Sequence, residues 1–259
     1  MAEYIDVAQA RNMSGLRIVL SPGVPGPWSE AAKGIFYVKK FPYVKVRQEV
    51  GGPNLALQEW TAQATAPVTV WNDEPPRSTW IQQLFLAERL APSPSLIPAN
   101  IDERILMFGY SNEICGETGF GWSKRLMLIH ATLSDPNTNE AARTSSLHFG
   151  KKYGYTPEAG AAAPARVAQI LQVLNLRLEQ QQRQGSKFFI GNQLSALDIY
   201  WAAFAALIQP LPQELCPMPP AFRTRYTNTD PVVQAAVTPR LFEHRDFIYH
   251  EYLELPIEL

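Results

Sequence analysis

Residues 66–88, APVTVWNDEPPRSTWIQQLFLAE, constrain the fold more than any other stretch of the chain. Ala66-Pro67 opens a run, Val68 to Trp71, whose β-branched and aromatic residues suit a strand. Asn72-Asp73 is a turn signal. Pro75 and Pro76 confine any strand there to a sheet edge. Ser78 suits the N-cap of a helix on which Ile81, Leu84, Phe85 and Leu90 recur at near-helical spacing. The order is strand, polar hairpin, helix. A helix N-terminus at the end of such a hairpin favours an anion. Arg77 and the Ser78 hydroxyl would both address a carboxylate there. The same serine also reads as a plain cap with no ligand.

Upstream, residues 1–15 read as a loose extension. Leu16 to Leu20 is a short apolar run bounded by Gly15 and Ser21-Pro22-Gly23, the mark of a buried strand. Ser21 to Pro27 holds three prolines and two glycines and reads as a loop. Ser29 can cap a helix over Glu30 to Lys40, with Glu30 favourable against its dipole. Tyr43 to Val50 alternates as a second strand, Gly51-Gly52-Pro53 turns the chain, and Asn54 to Ala62 reads as a short helix. The first strand, helix and second strand make a βαβ unit, which requires a parallel pair and a right-handed crossover.

Residues 91–98, APSPSLIP, are proline-rich and uncharged and mark a domain boundary. Helical signals follow. Asn100 and Glu103 have capping-box spacing. Gly116, Gly119 and Gly121 predict a kink or break near Thr118, with helix resuming over Trp122 to Leu133. Pro164 suits N1 of a helix carrying Val167, Ile170, Leu171, Leu174 and Leu178, which Gly185 would end. In residues 188–204, FFIGNQLSALDIYWAAF, Ser195 and Asp198 form a capping box flanked by Leu194 and Ile199 at the staple positions. That helix is apolar nearly all round and should be buried. Residues 209–231 read as proline-rich and irregular. His244 and His250, six apart, share no helix face, so no metal site is expected.

These motifs resemble the glutathione transferase superfamily, cytosolic and bacterial-like in type. That family's first domain runs Val-Pro or Ala-Pro with a cis peptide, a strand, a tight turn, then an acidic residue and Ser opening a helix that ends like YLAE. Ala66-Pro67, Ser78 and Leu84-Phe85-Leu86-Ala87-Glu88 match it. The family's second domain carries a GxxxSxxD box, matched by Gly191, Ser195 and Asp198. The resemblance implies an α/β thioredoxin-like domain over 16–90, a linker over 91–98 and an all-helical bundle over 99–259. It also implies glutathione as co-substrate, no metal and a homodimer joined near the helix after Arg77 and the early helices of the second domain.

The resemblance assigns Arg77 and Ser78 to the γ-glutamyl carboxylate, and Ala66 before a cis Pro67 to the cysteinyl part. The loop after the first strand would meet the sulfur. Two departures stand out. Arg77 replaces the family's Glu or Gln, and Gly26 stands where members place Tyr, Ser or Cys. With no Cys in that loop, the thioltransferase chemistry of Cys-type members has no basis here. Ser29 is the expected activator of the thiol, with Ser21 or the amides of residues 26–29 as alternatives. The electrophile pocket would use Trp28, Tyr110, Phe120 and Trp122, each equally readable as a core aromatic. The glycine-rich stretch 116–125, GETGFGWSKR, would set specificity.

A net charge of −1 and a pI of about 6.4 give no electrostatic footprint for nucleic acid or an anionic membrane. Cys115 and Cys216 are too far apart in sequence to form a metal or redox motif. Without a leader-like or membrane-length apolar run, the expected location is cytoplasmic. The expected function is conjugation of glutathione to a small apolar electrophile. Gly26 keeps open a non-catalytic glutathione-binding or protein-interaction module of the same fold.

Overall fold

The computed structural model describes residues 3–259. Four short strands, β1 (Tyr4–Ile5), β2 (Leu16–Leu20), β3 (Val44–Arg47) and β4 (Val68–Trp71), form one sheet in the order β1-β3-β2-β4. β3 runs parallel to β1 and β2, and β4 pairs antiparallel with β2. Helices α1 (Val7–Arg11), α2 (Pro27–Val38), α3 (Leu55–Thr61) and α4 (Trp80–Leu90) connect them. From there the chain is helical: α5 (Ile101–Cys115), α6 (Phe120–Ser134), α7 (Glu140–Tyr153), α8 (Pro157–Arg183), α9 (Ala196–Phe204), α10 (Pro220–Tyr226), α11 (Pro231–Ala236) and α12 (Pro239–Tyr252). A thioredoxin-like α/β domain is thus followed by an all-helical one, and β2-α2-β3 is its βαβ unit. No helix among the described residues is long and apolar enough to cross a membrane.

Local capping chemistry shifts several boundaries from the sequence reading. Residues 4–11 are not a loose extension. Asp6 and Gln9 form a reciprocal capping box on α1, and Tyr4 and Ile5 pair with Lys45 and Val46. Buried Arg17 fixes this end of the sheet, donating to the carbonyls of Ala10 and Asn72 beneath the Trp60 ring. α2 begins at Pro27 with Gly26 as N-cap, so Ser29 lies inside the first turn. Proline's fixed φ and missing N–H suit that first helical position. Thr79, not Ser78, caps α4, because Gln82 completes its box. Pro164 lies inside α8, which starts at Pro157 under a Thr156 cap. Its ring faces the carbonyl of Gly160, a residue that packs tightly on His130. Residues 140–153 form α7 and 220–226 form α10, neither apparent from apolar spacing.

The core is built on α9, whose nine residues are all buried. Each large apolar side chain removed from water there contributes roughly 1.5–3 kcal/mol. α2 lies directly against it: a Cβ added at Gly34 would stand 3.0 Å from Ile199 and 3.1 Å from Leu253. Trp28, at the start of α2, packs edge-on against Phe204 at 4.8 Å and donates its indole N–H to the Cys115 carbonyl at 2.9 Å. At the other end, buried Lys39 pairs with Glu88 and donates to the carbonyls of Ala91 and Pro94 in the linker.

Asp198 lies in the first turn of α9 and is fully buried. One carboxylate oxygen accepts from the Ser195 amide and hydroxyl, at 2.8 and 2.7 Å. The other accepts from the Phe189 amide at 2.8 Å and meets His244 Nε2 at 2.9 Å. Asp198→Ala strands two buried amides and the imidazole together. It should lower unfolding stability by about 3–5 kcal/mol, read from the urea midpoint. A midpoint unchanged within error would show that the box does not hold the helix start.

Candidate functional site

The ends of β2 and β4 bring the sequence motifs together at one sheet edge. Val19 lies opposite Val68, so Ala66 and Pro67 sit beside the loop that follows β2 and leads into α2. The Ala66–Pro67 peptide is cis. Beyond the hairpin, Arg77 exchanges both backbone hydrogen bonds with Thr69, at 2.9 Å each. That pairing sets Ser78 level with Val68, next to Pro67. Buried Gln83 crosslinks the corner from α4, its side-chain amide reaching the carbonyls of Arg77 at 3.3 Å and Pro67 at 3.4 Å.

Ser78 is half-buried, and neither its amide nor its hydroxyl has a partner among the described residues. Arg77 is occupied: it pairs with Glu74 at 2.6 Å and donates to the Pro75 carbonyl. Arg89 shares Glu74 at 2.5 Å. Hydrogen bonds from Arg89 and Arg77 hold the Glu74 carboxyl below the usual range. The free donors at this helix start therefore include those of Ser78, with Arg77 behind them as a neutralised charge.

At the start of α2, Gly26 donates to the Val24 carbonyl at 2.8 Å, and the Glu30 amide reaches the Gly26 carbonyl at 2.9 Å. Pro27 has no N–H. The Trp28 and Ser29 amides are left as the unpaired donors of the first turn. Ser29 is 6% exposed, and its hydroxyl has no partner among the described residues. Ser21 differs: its hydroxyl donates to Gln48 Oε1 at 2.5 Å, and Gln48 reaches back to the Ala64 carbonyl at 3.4 Å. Ser21 therefore ties two loops together.

The four aromatics separate. Trp28 stands at the head of α2 beside the site. Trp122 packs edge-on against Tyr153 at 4.6 Å, its indole N–H on the Tyr153 carbonyl. Tyr110 is half-buried against the core from α5, and its hydroxyl makes no hydrogen bond among the described residues. Phe120 is fully buried against Trp201; as the first residue of α6 it points into the α9 core. A cavity of about 370 Å³ between Tyr37, Lys40, Pro94, Leu194 and Tyr252 opens at the far end of α2. Twelve helical residues put it about 18 Å from Gly26, outside this site.

A polar roof that no sequence motif marks lies beside Trp28 and Ala66. Arg125 on α6 lies over the Trp28 ring at 5.8 Å and the Tyr226 ring at 5.6 Å. Lys152 on α7 donates to Thr65 Oγ1 at 2.8 Å, next to Ala66. Tyr153 lies between them; burial holds its hydroxyl above the ordinary range while Arg125 pulls it down. Neighbouring Lys124 turns inward to Asn228 at 2.8 Å, and burial brings its amine down to about 8 against the pull of Asp230. Arg125 ends the glycine-rich stretch picked out for specificity, but no local signal marks α7 as its companion.

No family model matches the sequence, and no curated protein matches it. Solved structures do match its fold. A glutathione S-transferase domain-containing protein from Marinobacter aquaeolei VT8 aligns with TM-score 0.61 at 17% identity, over 91% of this chain and 98% of that one. A glutathione S-transferase from Methylobacterium radiotolerans, in complex with glutathione sulfonate, aligns with TM-score 0.60 at 14% identity, over 92% of each chain. Another, from Methylobacillus flagellatus with glutathione bound, aligns with TM-score 0.59 at 13% identity, over 91% and 95%. The chain has the glutathione-transferase fold.

Gly26 is not required by backbone geometry. Its φ is −66°, and an added Cβ would meet only Ser29 Oγ at 3.5 Å and its Cβ at 3.8 Å, ordinary contacts. Gly26→Ser should fold normally and raise stability by a few tenths of a kcal/mol, since serine caps helices better than glycine. A fall of more than about 1 kcal/mol in denaturant unfolding would mean that the loop before α2 has no room for a side chain.

Proposed function

We propose that this protein is a glutathione transferase that conjugates the glutathione thiolate to a small apolar electrophile. The observation that carries the reading is a set of unpartnered donors at one sheet edge: the Ser78 amide and hydroxyl, the Ala66 backbone, and the Ser29 hydroxyl with the first amides of α2. Glutathione presents complementary groups in that order. Its γ-glutamyl carboxylate goes to Ser78, with Arg77 behind, and its cysteinyl backbone pairs with Ala66. Its sulfur goes to the head of α2. Neighbours in fold solved with glutathione or with glutathione sulfonate support the same ligand.

A free thiol titrates near ~8.5 and is mostly protonated at neutral pH. A helix N-terminus and a hydroxyl donor favour the thiolate and lower that value. The Ser29 hydroxyl and the Trp28 and Ser29 amides do this here, in place of the side chain that Gly26 lacks. The thiolate then attacks the electrophilic carbon: a C–S bond forms as the bond to the leaving group breaks, and the leaving group departs as an anion. Trp28 supplies an apolar wall beside the sulfur.

The bare Gly26 favours one second reading, a module that binds glutathione without turning it over. Retention on glutathione-agarose followed by a conjugation assay separates the two, and retention without turnover selects the module. Charge-assisted hydrogen bonds contribute roughly 1.5–3 kcal/mol each. Ser78→Ala should therefore weaken glutathione at least tenfold by calorimetry, whereas Ser29→Ala should lower turnover and leave affinity nearly unchanged. Equal affinity in Ser78→Ala and wild type would remove the carboxylate from this corner.

A homodimer completes the proposal. Phe85 on α4 and Ile101, Ile105 and Leu106 on α5 are exposed large apolar residues on neighbouring helices, the kind of patch that marks a protein interface. Sedimentation at micromolar concentration should give twice the 29.0 kDa chain mass. A single-chain mass would reject the dimer.

A further inference from the structure

Two cations roof the proposed thiol site with no carboxylate to answer them. Arg125 has only phenols and rings around it: the Tyr226 hydroxyl at 3.4 Å, the Tyr153 hydroxyl, and the faces of Trp28 and Tyr226. Its Nε is buried without a hydrogen-bond partner. Lys152 reaches only the Thr65 hydroxyl and lies over the Tyr153 ring at 5.9 Å. The charges acting on these two side chains are each other and the tyrosines, with no Asp or Glu among them. Neither takes part in an ion pair among the described residues. Lys33 has Glu30, Lys39 has Glu88 and Arg166 has Glu113, while the buried Arg17 and Lys124 have carbonyl and amide oxygens as acceptors.

Like charges held together in a partly dry place repel each other, and a donor buried without an acceptor forfeits a hydrogen bond. An arrangement of this kind is completed by an anion. The tyrosine hydroxyls can orient its oxygens, and the Trp28 face can take an aromatic or other flat apolar body beside the thiolate. We infer that the electrophile is an organic acid: a flat apolar body bearing a carboxylate or sulfonate, which Arg125 and Lys152 hold while the carbon under attack lies at the head of α2. The inference rests on the glutathione-transferase reading and specifies its second substrate. Glutathione's own glycyl carboxylate is the other source of the same chemistry, and the test separates the two.

The test compares a chlorodinitrobenzene with the matching chlorodinitrobenzoate. Both react by C–S bond formation and loss of chloride, and they differ in one carboxylate. The wild type should favour the benzoate in kcat/KM relative to the uncatalysed rates. Arg125→Gln and Lys152→Gln should each lower the benzoate-to-neutral ratio at least tenfold, and added salt should lower it in the wild type. Lys152 is exposed, so its variant avoids the folding risk of Arg125. A ratio unchanged in both variants overturns the inference. So does a loss of glutathione affinity that accounts for the whole effect, because the anion would then be the glycyl carboxylate. Unreactive dinitrobenzoate gives a reading that needs no turnover. It should quench the tryptophan fluorescence of the wild type more tightly than dinitrobenzene, and the difference should vanish in Lys152→Gln. Equal quenching by the two compounds in the wild type would dismiss the anion site. Failure to bind glutathione, with the quenching difference intact, would strike only the transferase reading.

Discussion

The close approach of α2 to α9 is the constraint on which the rest of the molecule depends. At Gly34 the two helices come so near that a methyl group would press on Ile199 and Leu253. α2 thereby belongs to both halves of the chain. Its head supplies the donors of the site, its middle locks onto the buried helix of the second domain, and its tail is clamped through Lys39 to Glu88 and two linker carbonyls. Burying an ammonium is tolerated only where oxygen atoms replace its water, and here three acceptors do so. The C-terminal segment adds a further tie. Lys33 on α2 donates to the Glu258 carbonyl, and Lys45 on β3 pairs with the Glu258 carboxylate.

Polar groups fall into two classes. Most of those that hold the fold are saturated: Asp198 meets four groups, Glu30 faces Lys33, and Gln83 reaches two carbonyls, although Arg17 Nε and His244 Nδ1 stay unpartnered. Those at the edge formed by β2, β4 and the head of α2 are not. Ser78, Ser29 and the first amides of α2 keep unused donors, and Arg125 and Lys152 keep unanswered charge. In a folded chain nearly all buried polar groups are paired. At this edge the buried Ser29 hydroxyl and Arg125 Nε lack partners, and the proposed ligand would supply their acceptors. The donors are complementary to carboxylates and a thiolate, while neither buried cysteine is a candidate for the chemistry. Burial pushes both the Cys115 and Cys216 thiols up.

Much of this was legible in the sequence because local rules carried it. The β2-α2-β3 unit shows in two short apolar runs around one helical pattern. The Ser195–Asp198 box marks the start of α9, and the prolines near residue 75 mark the hairpin. Local rules failed where two of them competed. Ser78 and Thr79 are both good caps, and only the reach of Gln82 decides for Thr79. Ser29 resembles a cap until Pro27 takes the first helical position. Phe120 sits in a segment that does border the site, but its side chain turns the other way, a matter of helix phase that spacing alone did not fix. Lys152 and Tyr226 were not legible as site residues, because α7 is polar and α10 is short, and both reach the cleft only through tertiary packing.

In the proposed function, the head of α2 holds a thiolate even without a side chain at Gly26. The direct measurement is a pH titration of the ultraviolet thiolate absorbance of glutathione bound to the wild-type protein. The bound thiol should titrate at least about one unit below the ~8.5 of a free thiol. A bound thiol that titrates as it does in water would contradict the claim and leave a glutathione-binding protein without the chemistry.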